Sequence, residues 1–179
     1  MNANIALKDC FRRCRQLGVP LSRYAIVVNI GTQAVSVYEK KSGAHCLQSR
    51  FRCSTSRFGI GQREGTNRTP LGLHRVVEKI GGGWPVGTVF KGRKPIGFTW
   101  QGMPDAKIAT RILWLEGLEP GFNRGGNVDS YARYIYIHGT GDETTLGWPA
   151  SCGCIHLAAD DLVPLFDELP NGTLVWIAL

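Results

Sequence analysis

Two residue types able to perform nucleophilic chemistry stand sixteen positions apart in the C-terminal half of the chain. His138 closes the run Tyr134-Ile135-Tyr136-Ile137-His138-Gly139-Thr140, and Cys154 lies in Trp148-Pro149-Ala150-Ser151-Cys152-Gly153-Cys154-Ile155-His156-Leu157. A thiol attacks an acyl carbon as the thiolate, so it needs an imidazole within hydrogen-bond reach to take its proton, and a nearby helix N-terminus helps. The residue types and their order fit acyl transfer with Cys154 as nucleophile and His138 as base. The glycine turn before Cys154 lets backbone amides converge into an oxyanion hole.

The same side chains admit another chemistry. Cys152, Cys154, His156 and His138 are all zinc-ligand types, and a structural zinc site needs only four. Against a zinc-stabilised, non-catalytic binding module, the Cys-x-Cys-x-His spacing lacks the usual Cys-x-x-Cys knuckle and crowds three ligands into one glycine turn. No metal or other cofactor is expected. A third class, a wall-binding or nucleic-acid module, is motivated by the net charge of +7 and by Trp84, Trp100 and Trp148. The basic residues are spread from Arg12 to Arg133 with no long block and no zinc-finger pattern, so no nucleic-acid partner is expected.

The elements that must position the pair are short strands. Alternation places Tyr134, Tyr136 and His138 on one face and Ile135 and Ile137 on the other, presenting His138 at a strand end. Cys154 precedes an apolar residue that leads toward a helix over 158–169, which would put His156 in the helix's first turn or on the active-site loop. Upstream, residues 24–30 and 34–38 read as a hairpin about Gly31-Thr32-Gln33, with further strands over 46–53, 71–77 and 112–115 and a closing strand over 174–179. Ile5, Leu7, Cys10, Phe11, Cys14 and Leu17 recur at helical spacing, ended by Gly18 and Pro20, so Cys10 and Cys14 face the core. The Gly-rich loop 56–68 has no lysine-plus-hydroxyl sequel and reads as a turn-rich connection, not a phosphate cradle. Residues 81–101, rich in Gly, Pro and Lys, keep neither periodicity and read as a surface insertion over a cleft.

A length of 179 residues with 43% hydrophobic content suits one compact domain. Its apolar runs fall far short of the roughly 20 residues of a membrane span, so no membrane partner is expected. Charges at Lys8, Asp9, Arg12, Arg13 and Arg15 interrupt the apolar stretch a secretory signal needs. The chain is therefore expected in the cytoplasm, or in the periplasm if an export signal was removed. The six cysteines are expected as reduced thiols.

His138-Gly139-Thr140 followed by Ser151-Cys152-Gly153-Cys154-Ile155-His156 resembles the signature of the L,D-transpeptidase catalytic domain, the YkuD-type family, in which HG is followed by SHGC, an apolar residue and Arg or Asn. The likeness covers roughly residues 23–179, including the strand-turn-strand of 24–38, Thr69-Pro70-Leu71-Gly72 and the approach over 147–150, and leaves 1–22 as an N-terminal helical extension. It implies a mainly β fold with peripheral helices, a mixed β-sandwich of the L,D-transpeptidase type. By the resemblance Cys154 is the nucleophile, His138 the base, the Gly139 carbonyl orients the imidazole, and amides of Cys152, Gly153 and Cys154 hold the oxyanion. Tyr136, Ser151, Trp148, His156 and Arg133 would face substrate, with Arg124, Arg111 and Arg68 as further carboxylate ligands. The implied partner is a peptidoglycan stem peptide or muropeptide, and the implied reaction releases terminal D-Ala from the L-centre of the position-three diamino acid. Hydrolysis, an L,D-carboxypeptidase in muropeptide recycling, is the favoured outcome, and cross-linking by an L,D-transpeptidase the alternative. Two positions depart from the pattern, since Cys152 replaces the motif His and His156 replaces the Arg or Asn.

Overall fold

The computed structural model describes residues 3–179. Helix α1 (Ala3–Leu17) leads into the hairpin β1 (Tyr24–Asn29) and β2 (Ala34–Lys41), followed by β3 (Ala44–Arg52) and β4 (Gly72–Ile80). A second hairpin, β5 (Thr88–Lys91) and β6 (Lys94–Phe98), precedes β7 (Ala109–Gly117), β8 (Tyr136–Gly139), β9 (Ile155–Leu157), α2 (Ala159–Glu168) and β10 (Leu174–Ala178). The strands form one mixed sheet in the order β3-β2-β1-β10-β4-β7-β5-β6, with β8 pairing β7 and β9 pairing β8. The layers of this mainly β fold are thus parts of a single hydrogen-bonded sheet.

Alternation decides what each face buries. Tyr24, Ile26 and Val28 of β1 join Val175 and Ile177 of β10, Leu113 and Leu115 of β7, and Leu162, Leu165 and Phe166 of α2 in the largest core cluster. Ala25 and Val27 point the other way, beneath Ala6 and Leu7 of α1. Cys10 and Cys14 pack there against Leu73 and Leu174, as two small apolar side chains. A fully buried Leu or Ile contributes about 1.5–3 kcal/mol, so covering both faces makes β1 and β10 the rigid centre.

Several expectations change. Residues 81–101 are not an irregular insertion, since they contain the β5–β6 hairpin, which is offset at Val89/Phe90 and joined to β7 by Val89 opposite Ala109. Tyr134 is not in β8, because its φ of +58 turns the chain just before the strand. Ile155–Leu157 is a strand parallel to β8, so Cys154 leads into β9 and His156 lies in a strand, not in a helical first turn.

Opposite the His138–Gly139 step, β7 bulges: Ile112 pairs with His138 but Ala109 pairs with Gly139. Thr110 takes a φ of +71 there, a conformation L residues seldom adopt, and its Oγ1 accepts a hydrogen bond from the Gly87 amide at 3.1 Å.

His74 of β4 is fully buried, its Nδ1 3.0 Å from the Gly72 carbonyl and its Nε2 3.0 Å from Ser130 Oγ. Burial pushes this ring down from its ordinary value to about 4. The unfolded chain therefore takes the proton first, so stability from the neutral ring is complete above about pH 6.5 and is lost as pH falls toward the folded value. Urea unfolding over a pH series should show wild type losing on the order of 2 kcal/mol more than His74→Gln between about pH 7 and about pH 5. Parallel pH dependences for the two proteins would disprove the assignment.

Candidate active site

The parallel pair β8–β9 builds the site. Its register sets Ile137 beside Ile155, His138 beside His156 and Gly139 beside Leu157. Ile137, Ile155 and Leu157 belong to the main core, so alternation sends Tyr136, His138, Cys154 and His156 to the opposite face. His138 on β8 and Cys154, just ahead of β9, thus lie diagonal to each other. A cavity of about 320 Å³ has both in its wall, together with His156, Cys152, Ser151, Ala150, Arg57, Lys107 and Ile108.

Each side chain has identifiable supports. His138 Nδ1 lies 2.8 Å from the Gly139 carbonyl, which places the ring proton on Nδ1 and leaves Nε2 as a proton acceptor. The histidine is buried, at 2% exposure, rather than standing clear at a strand end. Burial, with His156 beside it at a ring-centroid distance of 4.7 Å, pushes His138 down to about 3. Burial likewise lowers His156 to about 4, and its Nδ1 has no hydrogen-bond partner among the described residues. Both imidazoles are neutral near pH 7.

Cys154 Sγ donates to the Tyr134 carbonyl at 3.3 Å. Burial raises the thiol to about 11, against the opposing pull of the Tyr136 amide and of the Arg133 charge. The resting pair is therefore thiol and neutral imidazole. Cys154 does not lead directly into a helix, since β9 lies between it and α2, whose first amide, at Ala159, donates to Glu143 Oε1 at 2.7 Å. That part of the sequence reading is corrected.

The turn before Cys154 is pinned from within and from behind. Ser151 Oγ donates to the Cys154 carbonyl at 2.6 Å and accepts from the Gly153 amide at 3.2 Å. Ser151 is thus a clamp of the turn, and Gly153's amide is already occupied and not available to an oxyanion. Gly153 has a φ of +121, and a Cβ there would stand 3.3 Å from the Arg68 carbonyl. Thr69 Oγ1 donates to the Gly153 carbonyl at 3.0 Å, while Ser56 Oγ donates to the Asn67 carbonyl at 2.6 Å. The glycine-rich loop 56–68, read from sequence as a plain connection, is the buttress of the cysteine turn.

The predicted substrate contacts separate. Tyr136 is buried beside the Arg93 guanidinium, which lies 4.7 Å from the Trp114 ring and 5.2 Å from the Tyr134 ring. Trp148 is 72% exposed and absent from the cavity wall. Arg133 donates to the carbonyls of Gln62 and Arg68, each at 2.7 Å, and so ties the loop instead of facing the cavity. Arg124 pairs with Glu116, and Arg111 donates to the Thr110 carbonyl. Neither they nor Arg68 reach the cavity, whose cations are Arg57 and Lys107, and no residue of 81–101 lines it. Sequence reading missed both cations, which sit in irregular segments without a motif. Among the described residues no three His, Cys, Asp or Glu side chains converge as a metal site requires, so Cys152, Cys154, His156 and His138 do not form a zinc cage.

Comparisons with known proteins agree with this geometry. The family profile described as the L,D-transpeptidase catalytic domain, YkuD, matches residues 23–177. Solved structures with the same fold include Bdellovibrio bacteriovorus Bd1075, at 17% identity and a TM-score of 0.55, covering 88% of this chain and 48% of that one. L,D-transpeptidase 3 from Mycobacterium tuberculosis, in complex with a faropenem-derived adduct, matches at 15% identity and a TM-score of 0.52, covering 88% and 60%. The LD transpeptidase LdtMt1 in complex with imipenem matches at 16% and 0.53, covering 87% and 58%. The chain therefore spans between 48% and 60% of the length of these three chains. No curated protein matches the sequence significantly.

Two measurements check the site's construction. A Cβ on Gly139 would stand 2.6 Å from the Ala109 carbonyl, so Gly139→Ala must move backbone. It should cost about 1–3 kcal/mol in urea unfolding, and unchanged stability would contradict the packing. Cys46 and Cys152 are exposed free thiols, whereas burial holds Cys154 protonated. Mass mapping after iodoacetamide treatment at neutral pH should find Cys46 and Cys152 labelled before Cys154, with the Cys154 rate rising through alkaline pH. Labelling of Cys154 first would refute a protonated resting thiol.

Proposed function

The chain belongs to the L,D-transpeptidase catalytic domain family, and from that premise we propose that it cleaves a peptidoglycan stem tetrapeptide by acyl transfer through Cys154. The observation that carries the reading is the shared cavity wall of Cys154 and His138, with the His138 ring proton fixed on Nδ1 by the Gly139 carbonyl. Nε2 can then accept a proton.

In the proposed reaction the sulfur leaves the Tyr134 carbonyl and gives its proton to His138 Nε2. It attacks the carbonyl carbon of the L-centre of the position-three diamino acid. The C–N bond to D-Ala breaks, the imidazolium returns the proton to the departing amine, and a thioester remains on Cys154. With Gly153's amide engaged by Ser151, the amides of Cys152 and Cys154 are the donors assigned to the oxyanion. With both groups neutral at rest, the proton crosses to His138 only as the sulfur attacks and not beforehand.

Water as the second nucleophile gives an L,D-carboxypeptidase, and an amine from another stem peptide gives a cross-link. We favour hydrolysis of soluble muropeptides in a reducing compartment, the cytoplasm. The exposed free thiols Cys46 and Cys152, the latter two residues from the nucleophile, support that placement, because oxidising conditions would expose them to disulfide exchange.

Incubation with a disaccharide tetrapeptide, followed by mass spectrometry, should show loss of one alanine. Cys154→Ala should abolish it and His138→Gln should lower turnover by about 100-fold or more. Dimeric products would shift the reading to transpeptidation, and full activity in Cys154→Ala would refute it.

A further inference from the structure

Arg57 and Lys107 reach the cavity of the reacting pair from two different segments. The Arg57 amide donates to the Ser151 carbonyl at 3.1 Å, three residues before Cys154, which fixes Arg57 on the nucleophile's side. Lys107 follows Ala106, whose carbonyl accepts from the Gly141 amide at 2.8 Å, and precedes Ala109, which pairs with Gly139. That fixes Lys107 on the base's side. Both line the Cys154 cavity, whose wall contains no carboxylate. Neither forms an ion pair among the described residues, although Asp105 and Asp142 share a neighbouring depression with Lys107. The other arginines near the sequence motif are engaged elsewhere, as Arg133 is with two carbonyls.

Two cations without a carboxylate partner among the described residues, Arg57 lying 5.0 Å from the Phe58 ring centroid, share a wall otherwise made of neutral imidazoles, thiols, a buried serine, Ile108 and Ala150, and focus positive potential on the space in front of Cys154. We propose that Arg57 and Lys107 form the subsite for a substrate carboxylate, namely the free α-carboxylate of the residue that leaves. This rests on the acyl-transfer reading and deepens it. In a terminal cleavage that carboxylate shares a carbon with the departing nitrogen, so it must enter the cavity when the scissile carbonyl reaches Cys154. Arg57 offers a planar fork to a carboxylate and Lys107 a point charge. The subsite selects chain ends over internal bonds, because an extended or amidated residue would bring no charge to the two cations. His156, whose Nδ1 has no hydrogen-bond partner among the described residues, shares the same wall.

Two arms test the subsite. In the first, Cys154 is alkylated by iodoacetate or iodoacetamide, a reaction in which the sulfur bonds to the methylene carbon and iodide departs. The reagents differ in bearing a carboxylate or an amide, and mass mapping reads each rate. The iodoacetate-to-iodoacetamide ratio at Cys154 should exceed that of a free thiol in solution by about tenfold. It should fall by about threefold in Arg57→Ala or Lys107→Ala and vanish in the double variant, with Arg57→Lys retaining part of it. Because the ratio is taken within each protein, a change in thiol acidity affects both reagents alike, and an unchanged urea-unfolding midpoint shows that the variants keep the fold. In the second arm, the disaccharide tetrapeptide is compared with its C-terminal carboxamide, and wild type should prefer the free acid, mainly through KM, by a ratio that collapses in the double variant. A Cys154 ratio equal to that of the free thiol, or a selectivity that survives the double substitution, overturns the subsite. Absence of turnover on both peptides would overturn the acyl-transfer reading alone, because the alkylation arm needs no turnover.

Discussion

Three residue pairs hold β8 parallel to β9, and the geometry of the cavity follows from them. One face of the pair is committed to the core by Ile137, Ile155 and Leu157. A slip of one residue would bury the histidines among aliphatics and expose those side chains, so the hydrophobic effect itself fixes the register. With the register fixed, Tyr136, His138, Cys154 and His156 have no other face to occupy. The close approach of Gly139 to the Ala109 carbonyl and the bulge at Thr110 then set where β8 ends.

The same burial governs the charges. The cavity wall keeps His138 and His156 neutral and holds the Cys154 proton on sulfur, handed to the Tyr134 carbonyl. Permanent charge is confined to Arg57 and Lys107 in the wall, with Arg133 held behind it by two loop carbonyls. A site arranged in this way stores no ion pair at rest. In the proposed reaction, charge separates only when a substrate supplies a carbonyl carbon for the sulfur and an anion for the cations, which suits a transition state better than a ground state.

Much of this was legible in the residues. The β1–β2 hairpin, α1, α2 and β10 announce themselves because apolar side chains recur at one period long enough to be seen. Residue type and order allowed a pairing of His138 with Cys154, but family likeness carried it, as it did the Gly139 carbonyl as orienter, and the two side chains share one cavity wall. Short or irregular pieces were not readable. β9 has three residues after a glycine turn, too few to show alternation, and so passed for the approach to a helix. The β5–β6 hairpin is interrupted by Gly92 and Pro95 and offset in register. Arg57 and Lys107 owe their positions to backbone bonds with Ser151 and around Gly141, contacts between segments distant in sequence. Arg133 looked like a substrate ligand because a guanidinium near a nucleophile usually is one, yet two carbonyls of loop 56–68 claim it.

The central claim is that sulfur at position 154 becomes bonded to the substrate's acyl carbon. Rapid acid quenching of the enzyme with a disaccharide tetrapeptide, followed by intact-mass analysis and peptide mapping, reads that bond directly. The account predicts an adduct equal to the substrate less one alanine, located on Cys154 and discharged with time. Product formation with no adduct, or an adduct carried by Cys152 instead, would contradict it.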